Sequence, residues 1–130
     1  MTTRQDPPRP TDAELAILSV LWGAGPSTVR QVHELISLRR PAQYSTILKF
    51  MQIMADKGLL VRDEGQRAHI YKAARPREWT QQQLAGHLLE RAFNGSAKAL
   101  LIGALSAKKT TKGQLAELRK LVDEYSKGAK

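Results

Sequence analysis

The stretch Tyr44–Ala73 reads YSTILKFMQIMADKGLLVRDEGQRAHIYKA and combines three patterns in a fixed order. Residues 44–57 are amphipathic with a helical period, and Gly58 follows where a left-handed helix end is favoured. Two short runs of alternating residues come next, 60–64 and 68–73, and a polar, glycine-containing turn joins them. A helix, a stop and a basic hairpin in this order predict a winged helix-turn-helix head, mostly α-helical with one small β-hairpin.

Two more helices are predicted before this stretch, and each begins with a capping box. In such a box a Thr hydroxyl accepts a hydrogen bond from the third helical amide, and Glu or Gln at that position reaches back. The pairs Thr11–Glu14 and Thr28–Gln31 fit this pattern. The residues expected to face inward are, in the first helix, Leu15, Leu18 and Trp22 with Ile17 and Leu21 beside them, and, in the second, Val29, Val32, Leu35 and Ile36.

The helix at 44–57 has two chemically different sides. Its buried stripe is predicted to be Ile47, Phe50, Met51 and Met54. The polar residues Ser45, Thr46, Lys49 and Gln52 fall mostly on the other side.

In a helix-turn-helix the second helix of the motif enters the major groove of DNA, with its N-terminal residues on base edges. Short hydroxyls allow a close approach, and a lysine can donate to guanine acceptors. Basic residues on a hairpin beside that helix would contact phosphates. The predicted DNA-binding residues are therefore Thr28, Arg30, Arg40, Ser45, Thr46, Lys49, Gln52, Arg62 and Arg67.

The charge of the chain favours a polyanion as partner. Lys and Arg number 21 against 12 Asp and Glu, which gives a net charge of +9 and an isoelectric point near 10.2. Ten basic and only four acidic residues lie between Thr28 and Arg77. This balance indicates nucleic acid first and an acidic membrane surface second, and a basic protein with a solvated surface is the plainer alternative.

Other classes of function find little support in the sequence. The chain has no cysteine, and His33, His69 and His87 stand far apart without nearby carboxylate patterns, so no metal site is expected. No Gly-rich phosphate loop or HExxH motif is present, so neither catalytic residues nor a cofactor are expected, and the protein is predicted not to be an enzyme. No apolar run is long enough to span a bilayer, and we expect a cytoplasmic protein without membrane insertion.

Three further helices are predicted after the hairpin, at about 79–93, 97–106 and 111–125. Their apolar faces cannot close a core of their own. A second copy of the chain would cover them and would match the two-fold symmetry of palindromic DNA; packing onto the chain's own head is the alternative. The residues expected at the dimer interface are Leu88, Leu100, Leu101, Leu115, Leu118, Leu121, Val122 and Tyr125.

The sequence thus predicts three parts with different roles. Residues 1–10 are expected to be a flexible tail, because they hold three prolines and no apolar periodicity. Residues 11–77 are expected to form the winged-helix DNA-binding domain, and residues 78–128 a three-helix dimerisation domain.

Five segments, taken in order, resemble the BlaI/MecI/CopY family of bacterial penicillinase-type repressors from about Pro10 to Tyr125. Each motif is weak alone, and the five in order are strong. The resemblance implies a homodimeric repressor on a short inverted repeat. It also implies a membrane-bound sensor metalloprotease whose signal leads to cleavage of the repressor within the fifth helix. The matching segments are Thr11–Trp22, Thr28–Val32, Tyr44–Leu60, Phe93–Ser96 and Leu115–Tyr125.

Three features depart from that family's pattern. Ile53 stands where many members have Arg, and Lys49 where many have Thr, which leaves the operator sequence open. The bond cleaved in penicillinase repressors joins Asn to Phe, and the matching residues here are Gly103 and Ala104. Copper-responsive members carry a C-terminal Cys pattern that this chain lacks.

Two other interpretations stay open on the sequence alone. A regulator of the same fold could be gated by a small ligand in a pocket between the head and the dimer helices. A winged-helix domain can also serve as a protein-interaction module that does not bind DNA.

Overall fold

The computed structural model describes residues 9–65 and 67–129, so most of the predicted tail at 1–10 lies outside the described residues. Its helices and its one hairpin confirm the predicted mostly α-helical fold. The chain divides into two compact units between Leu84 and Ala85. The elements are α1 Asp12–Ala24, α2 Val29–Ser37, α3 Tyr44–Asp56, β1 Leu60–Asp63, β2 Ile70–Ala73, α4 Arg77–Ala92, α5 Ala97–Ala107 and α6 Lys112–Gly128.

The core of the first unit is formed by α1, α2, α3 and the hairpin. Helical periodicity brings the apolar residues of each helix onto one face, and β2 adds the buried ring of Tyr71. Burial of these side chains away from water is the main source of the unit's stability. The buried apolar residues are Ile17, Leu18, Leu21, Val29, Val32, Ile47, Met51, Met54, Leu59, Leu60 and Tyr71.

Local signals fix the helix ends as the sequence predicted. The Thr11 hydroxyl accepts from the Glu14 amide at 3.2 Å, and the Thr28 hydroxyl accepts from the Gln31 amide at 3.1 Å, so both capping boxes are formed. Gly58 follows α3 with φ +86°, a conformation that other residues adopt only at a cost. The turn that this conformation permits directs the chain from α3 into β1.

The hairpin is held to the helices by a third extended segment. β1 and β2 pair antiparallel, with Arg62 opposite Tyr71 and Val61 opposite Lys72. Ser27, just before α2, pairs with Tyr71 on the outer side: the Ser27 amide donates to the Tyr71 carbonyl at 2.9 Å, and the Tyr71 amide donates back at 2.8 Å. The wing is therefore fixed directly to the start of α2.

The second unit has a different character, because no residue of α5 or α6 is buried. A turn joins α4 to α5, in which Asn94 and Gly95 have φ +53° and +80°. Ser96 then caps α5, since its hydroxyl accepts from the Ala99 amide at 3.0 Å. Thr111 and Gln114 form a third capping box at the start of α6.

Some sequence predictions about burial were wrong in detail. The buried stripe of α1 is centred on Ile17, Leu18 and Leu21, and the expected Leu15 and Trp22 are only half-buried at its edges. Leu35 of α2 was expected to face inward and is 39% exposed. The second strand begins at residue 70 rather than 68.

Candidate nucleic-acid interface

The exposed face of α3 carries the polar residues that the sequence singled out. Ser45, Thr46, Lys49 and Gln52 are all exposed, while the opposite face packs into the core. Ile53 lies beside them with 39% of its surface exposed. The structure therefore presents two hydroxyls, one ammonium and one amide on a single helical surface, where they can reach a ligand together.

The N-terminal end of α3 is fixed by a contact that the sequence pattern did not reveal. The Nε2 atom of His33 in α2 lies 2.7 Å from the carbonyl oxygen of Ala42, so this nitrogen donates a hydrogen bond. The same imidazole meets the Tyr44 ring edge to face, with 5.8 Å between ring centroids. His33 thus ties the connector between α2 and α3 to α2 and orients the first residue of α3.

The C-terminal end of α3 is fixed by an ion pair that the sequence pattern also missed. The Lys57 ammonium donates to a Glu14 carboxylate oxygen at 2.7 Å, and Glu14 is 3% exposed. Burial raises the pKa of the Glu14 carboxyl, but hydrogen bonds from Lys57 and Thr11 outweigh it and bring the pKa below its ordinary value. Glu14 is therefore charged at neutral pH.

On the hairpin, Arg62 and Lys72 lie on opposite faces. Arg62 shares a face with buried Tyr71, and its Nε atom lies 2.7 Å from a Glu64 carboxylate oxygen. A hydrogen bond with Tyr71 and the charge of Glu64 raise the pKa of the Arg62 guanidinium above its ordinary value. Glu64 engages only the Nε side of this guanidinium, and Lys72 and Arg67 are exposed cations.

The remaining predicted contact residues lie around α2. Thr28 is half-exposed, and its hydroxyl oxygen already accepts from the Gln31 amide. Arg30 on the first turn of α2 and Arg40 in the connector before α3 are exposed. These two guanidiniums lie within the helix-turn-helix, ahead of α3 in sequence, and are accessible to solvent.

Two basic residues after the hairpin are engaged with tryptophans. The Trp22 indole N–H donates to the Arg75 carbonyl at 3.0 Å, and the Arg75 guanidinium lies 4.6 Å from the Trp79 ring centroid. Arg77 lies 5.8 Å from the ring centroid of Trp22. These cation–π contacts fix the segment that leads into α4, a role that charge counting did not predict.

In the second unit, most of the predicted interface residues expose much of their apolar surface. Tyr125 is 75% exposed, and Leu100 and Leu118 are half-buried. Gly103 and Ala104, the predicted cleavage position, lie inside α5, and a Cβ on Gly103 would lie 3.4 Å from Cε1 of Phe93. The exposed members of the predicted interface are Leu88, Leu101, Leu115, Leu121, Val122 and Tyr125.

Neither a metal-binding cluster nor a membrane-spanning helix is found among the described residues. No three His, Asp or Glu side chains within residues 9–65 and 67–129 lie close enough to share a metal ion. Over the same part of the chain, none of the helices combines the length and apolar character needed to cross a bilayer.

Comparison with known proteins shows which family this chain is similar to. Residues 10–124 match the family described as penicillinase repressor. A protein named transcriptional regulator BlaI, from two strains of Mycobacterium tuberculosis, is 36% identical to this chain over 93 residues, which span 70% of this chain and 67% of that protein.

Proposed function

The chain belongs to the penicillinase repressor family, and on that premise we propose that it acts as a homodimer on an inverted-repeat operator in double-stranded DNA. A transcriptional repressor is what the family and its relative support, and both are regulators of transcription rather than enzymes, as the sequence predicted. The proposed location is the cytoplasm, where the DNA is accessible.

One observation supports DNA contact most strongly, namely the polar exposed face of α3 above a fully packed core. Ser45, Thr46 and Lys49 lie near the N-terminal end of α3, the part of a recognition helix that reaches base edges. Lys49 would donate to guanine acceptors, and Gln52 would extend the contact along the groove. Ile53 adds an apolar surface that suits a thymine methyl group.

Phosphate contacts would fix the head on the duplex without reading its sequence. We assign this role to the exposed cations around α3, on the connector and on the wing. Thr28 at the start of α2 would add a hydroxyl contact. The basic members of this set are Arg30, Arg40, Arg62 and Arg67.

Dimerisation is supported by the apolar surface of the second unit. No residue of α5 or α6 is buried within one chain, although Leu101, Leu115 and Leu121 are large and apolar. Apolar area of this extent is unfavourable in water unless another surface covers it. A second copy offers the same apolar surface. Packing of these two identical surfaces produces the two-fold symmetry that an inverted repeat requires.

Relief of repression would follow from cleavage of α5 at Gly103–Ala104 by a membrane-bound sensor metalloprotease, or from signalling by such a partner. Proteases bind extended substrates, so the interior of α5 must unfold locally before this bond can be cut. Because no residue of α5 is buried, this local opening would cost little free energy. Loss of α5 would separate the two heads and weaken operator binding.

The test is charge reversal on the proposed DNA-binding surface. We expect the double variant Lys49→Glu/Arg67→Glu to bind a cognate duplex at least about a hundredfold more weakly, because a base contact and a phosphate contact are both lost. The duplex is one recovered by in vitro selection from a random library with the wild-type chain. Light scattering should show an unchanged dimer.

The matched control is Lys120→Glu/Lys127→Glu on exposed positions of α6, which changes the net charge equally. Equal weakening by both double variants would show that only the total charge matters. Retained binding by Lys49→Glu/Arg67→Glu would contradict the proposed surface.

A further inference from the structure

The described part of the chain contains three capping boxes, and one of them differs chemically from the other two. The boxes at α2 and α6 use a neutral residue, Gln31 or Gln114, to accept from the N-cap amide. The box at α1 uses Glu14, whose Oε1 atom accepts from the Thr11 amide at 3.0 Å. An amide is thus sufficient for capping in this protein, so the charge of Glu14 is available for a further contact.

The second carboxylate oxygen of Glu14 makes that further contact. Oε2 accepts from the Lys57 ammonium at 2.7 Å, across 43 residues of sequence. The Glu14 side chain is 4% exposed and that of Lys57 is 30% exposed, so water screens the pair only from the lysine side. One carboxylate therefore holds the start of α1 with one oxygen and the end of α3 with the other.

Lys57 occupies the junction between the recognition helix and the wing. It is the last residue before Gly58, and its amide donates to the Ile53 carbonyl at 2.9 Å. Beyond Gly58, the Leu59 amide donates to the Met54 carbonyl oxygen at 2.8 Å, and β1 begins at the next residue, Leu60. A displacement of Lys57 would therefore move the end of α3 and the start of the wing together.

We propose that Glu14 and Lys57 are a positioning pair for DNA recognition, which sets the tilt of α3 against α1 and hence the alignment of Ser45, Thr46 and Lys49 with base edges. This inference rests on the proposed function. The lowered pKa of Glu14 agrees with it, because the carboxylate is charged wherever the protein binds DNA near neutral pH.

The substitution Glu14→Gln separates positioning from capping. Glutamine keeps the oxygen that accepts from Thr11, as Gln31 does for Thr28, and removes only the charge that holds Lys57. It also makes the head more positive, which by itself tightens binding to any DNA. Electrostatics alone would therefore make Glu14→Gln bind more tightly. A weaker complex with the selected duplex would instead indicate that the side chains of α3 are misaligned with the base edges.

The experiment measures binding to the duplex selected with the wild-type chain and to a scrambled duplex, over a range of salt concentrations and well below the unfolding temperature. We expect Glu14→Gln and Lys57→Met each to weaken the selected complex by about tenfold, and the double variant to be no weaker than either. Binding to the scrambled duplex should not fall for Glu14→Gln. The salt dependence of the selected complex should keep its wild-type slope. The variant Lys57→Arg keeps a cation at this position and should retain most of the wild-type affinity.

The control Glu34→Gln removes an exposed carboxylate from α2 of the same unit and should not weaken either complex. Unchanged affinity in Glu14→Gln, with only a lower melting temperature, would overturn the proposal in favour of a purely stabilising pair. A Lys57→Met variant that weakens both duplexes equally, with a salt slope smaller by about one, would overturn it in favour of a phosphate contact.

A wild-type chain that enriches no sequence would contradict the proposed function itself, and the positioning role with it. That outcome is distinguishable from the others because it is seen before any variant is made.

Discussion

The two units of this chain use apolar residues in opposite ways. All eleven buried apolar residues of the described chain lie between Ile17 and Tyr71, whereas α5 and α6 bury none. Leu18 in α1 is 2% exposed and Leu121 in α6 is 47% exposed, although the two are the same residue type. The first is part of a completed core, and the second is a surface that we propose is completed by another chain. An apolar period predicts which side of a helix is covered, but it does not identify what covers it.

The polar contacts of the two units also differ, because some in the first unit join distant residues, while serines in the second unit bond to neighbours on one helix. In the first unit, side chains far apart in sequence meet: Glu14 holds Lys57, and Trp22 donates to the Arg75 carbonyl. In the second unit, Ser106 and Ser126 each donate to a carbonyl four residues earlier on their own helix. The first unit is thus cross-linked within itself, while these contacts of the second unit would survive in an isolated helix.

The substitution Leu121→Asp tests the second unit most strongly. In the proposed dimer it would place an unpaired carboxylate in an apolar interface, and we expect dimerisation to weaken by about a hundredfold or more, equivalent to about 3 kcal/mol. Sedimentation velocity over a concentration series would measure the change.

The matched control for this test is Ala116→Asp on the opposite side of α6, which should leave the dimer intact. An unchanged dimer in Leu121→Asp would show that α6 is not where the subunits meet. The contrast between the two units would then need a different explanation.

The substitution Met54→Ala tests the first unit by opening a cavity in its core. Met54 is fully buried, and we expect the free energy of unfolding to fall by about 2–5 kcal/mol. The neighbouring Ile53→Ala, on the 39% exposed side of α3, should cost less than about 1.5 kcal/mol. Denaturant unfolding followed by tryptophan fluorescence reports on this unit, since Trp22 and Trp79 both lie in it. Similar costs for the two variants would argue against a single tightly packed core.

The smallest expected effect is a pH dependence that belongs to the first unit. Because the pKa of Glu14 is lowered in the folded chain, its ion pair stabilises the fold at pH above the ordinary value of 4.5, and this contribution is lost as the pH falls through the folded pKa. We expect Glu14→Gln to show a smaller drop in melting temperature between pH 6 and pH 3 than the wild type. Glu117→Gln, at an exposed position of α6, should retain the wild-type slope.

Much of the fold could be predicted from the sequence because its signals are local. The capping pairs at Thr11 and Thr28 join residues three positions apart, and the stop at Gly58 needs only the helix before it. The polar face of α3 follows from helical periodicity alone. Leu35 was wrongly predicted to face inward because the helical period places it with the apolar residues of α2, whereas the elements packed on α2 leave 39% of its surface exposed.

The sequence by itself determined the order of the elements, the capped starts of the helices and the polar side of α3, since these depend on interactions within one or two helical turns. Only the tertiary structure decided which distant groups meet: Lys57 with Glu14, Ser27 with Tyr71, and the His33 ring with the Ala42 carbonyl. Such contacts depend on how packed elements cross, and the spacing of residues along one element carries no information about that crossing. The pattern that predicted a helix end at Lys57 could not show that this lysine also fixes the end of α3 against α1.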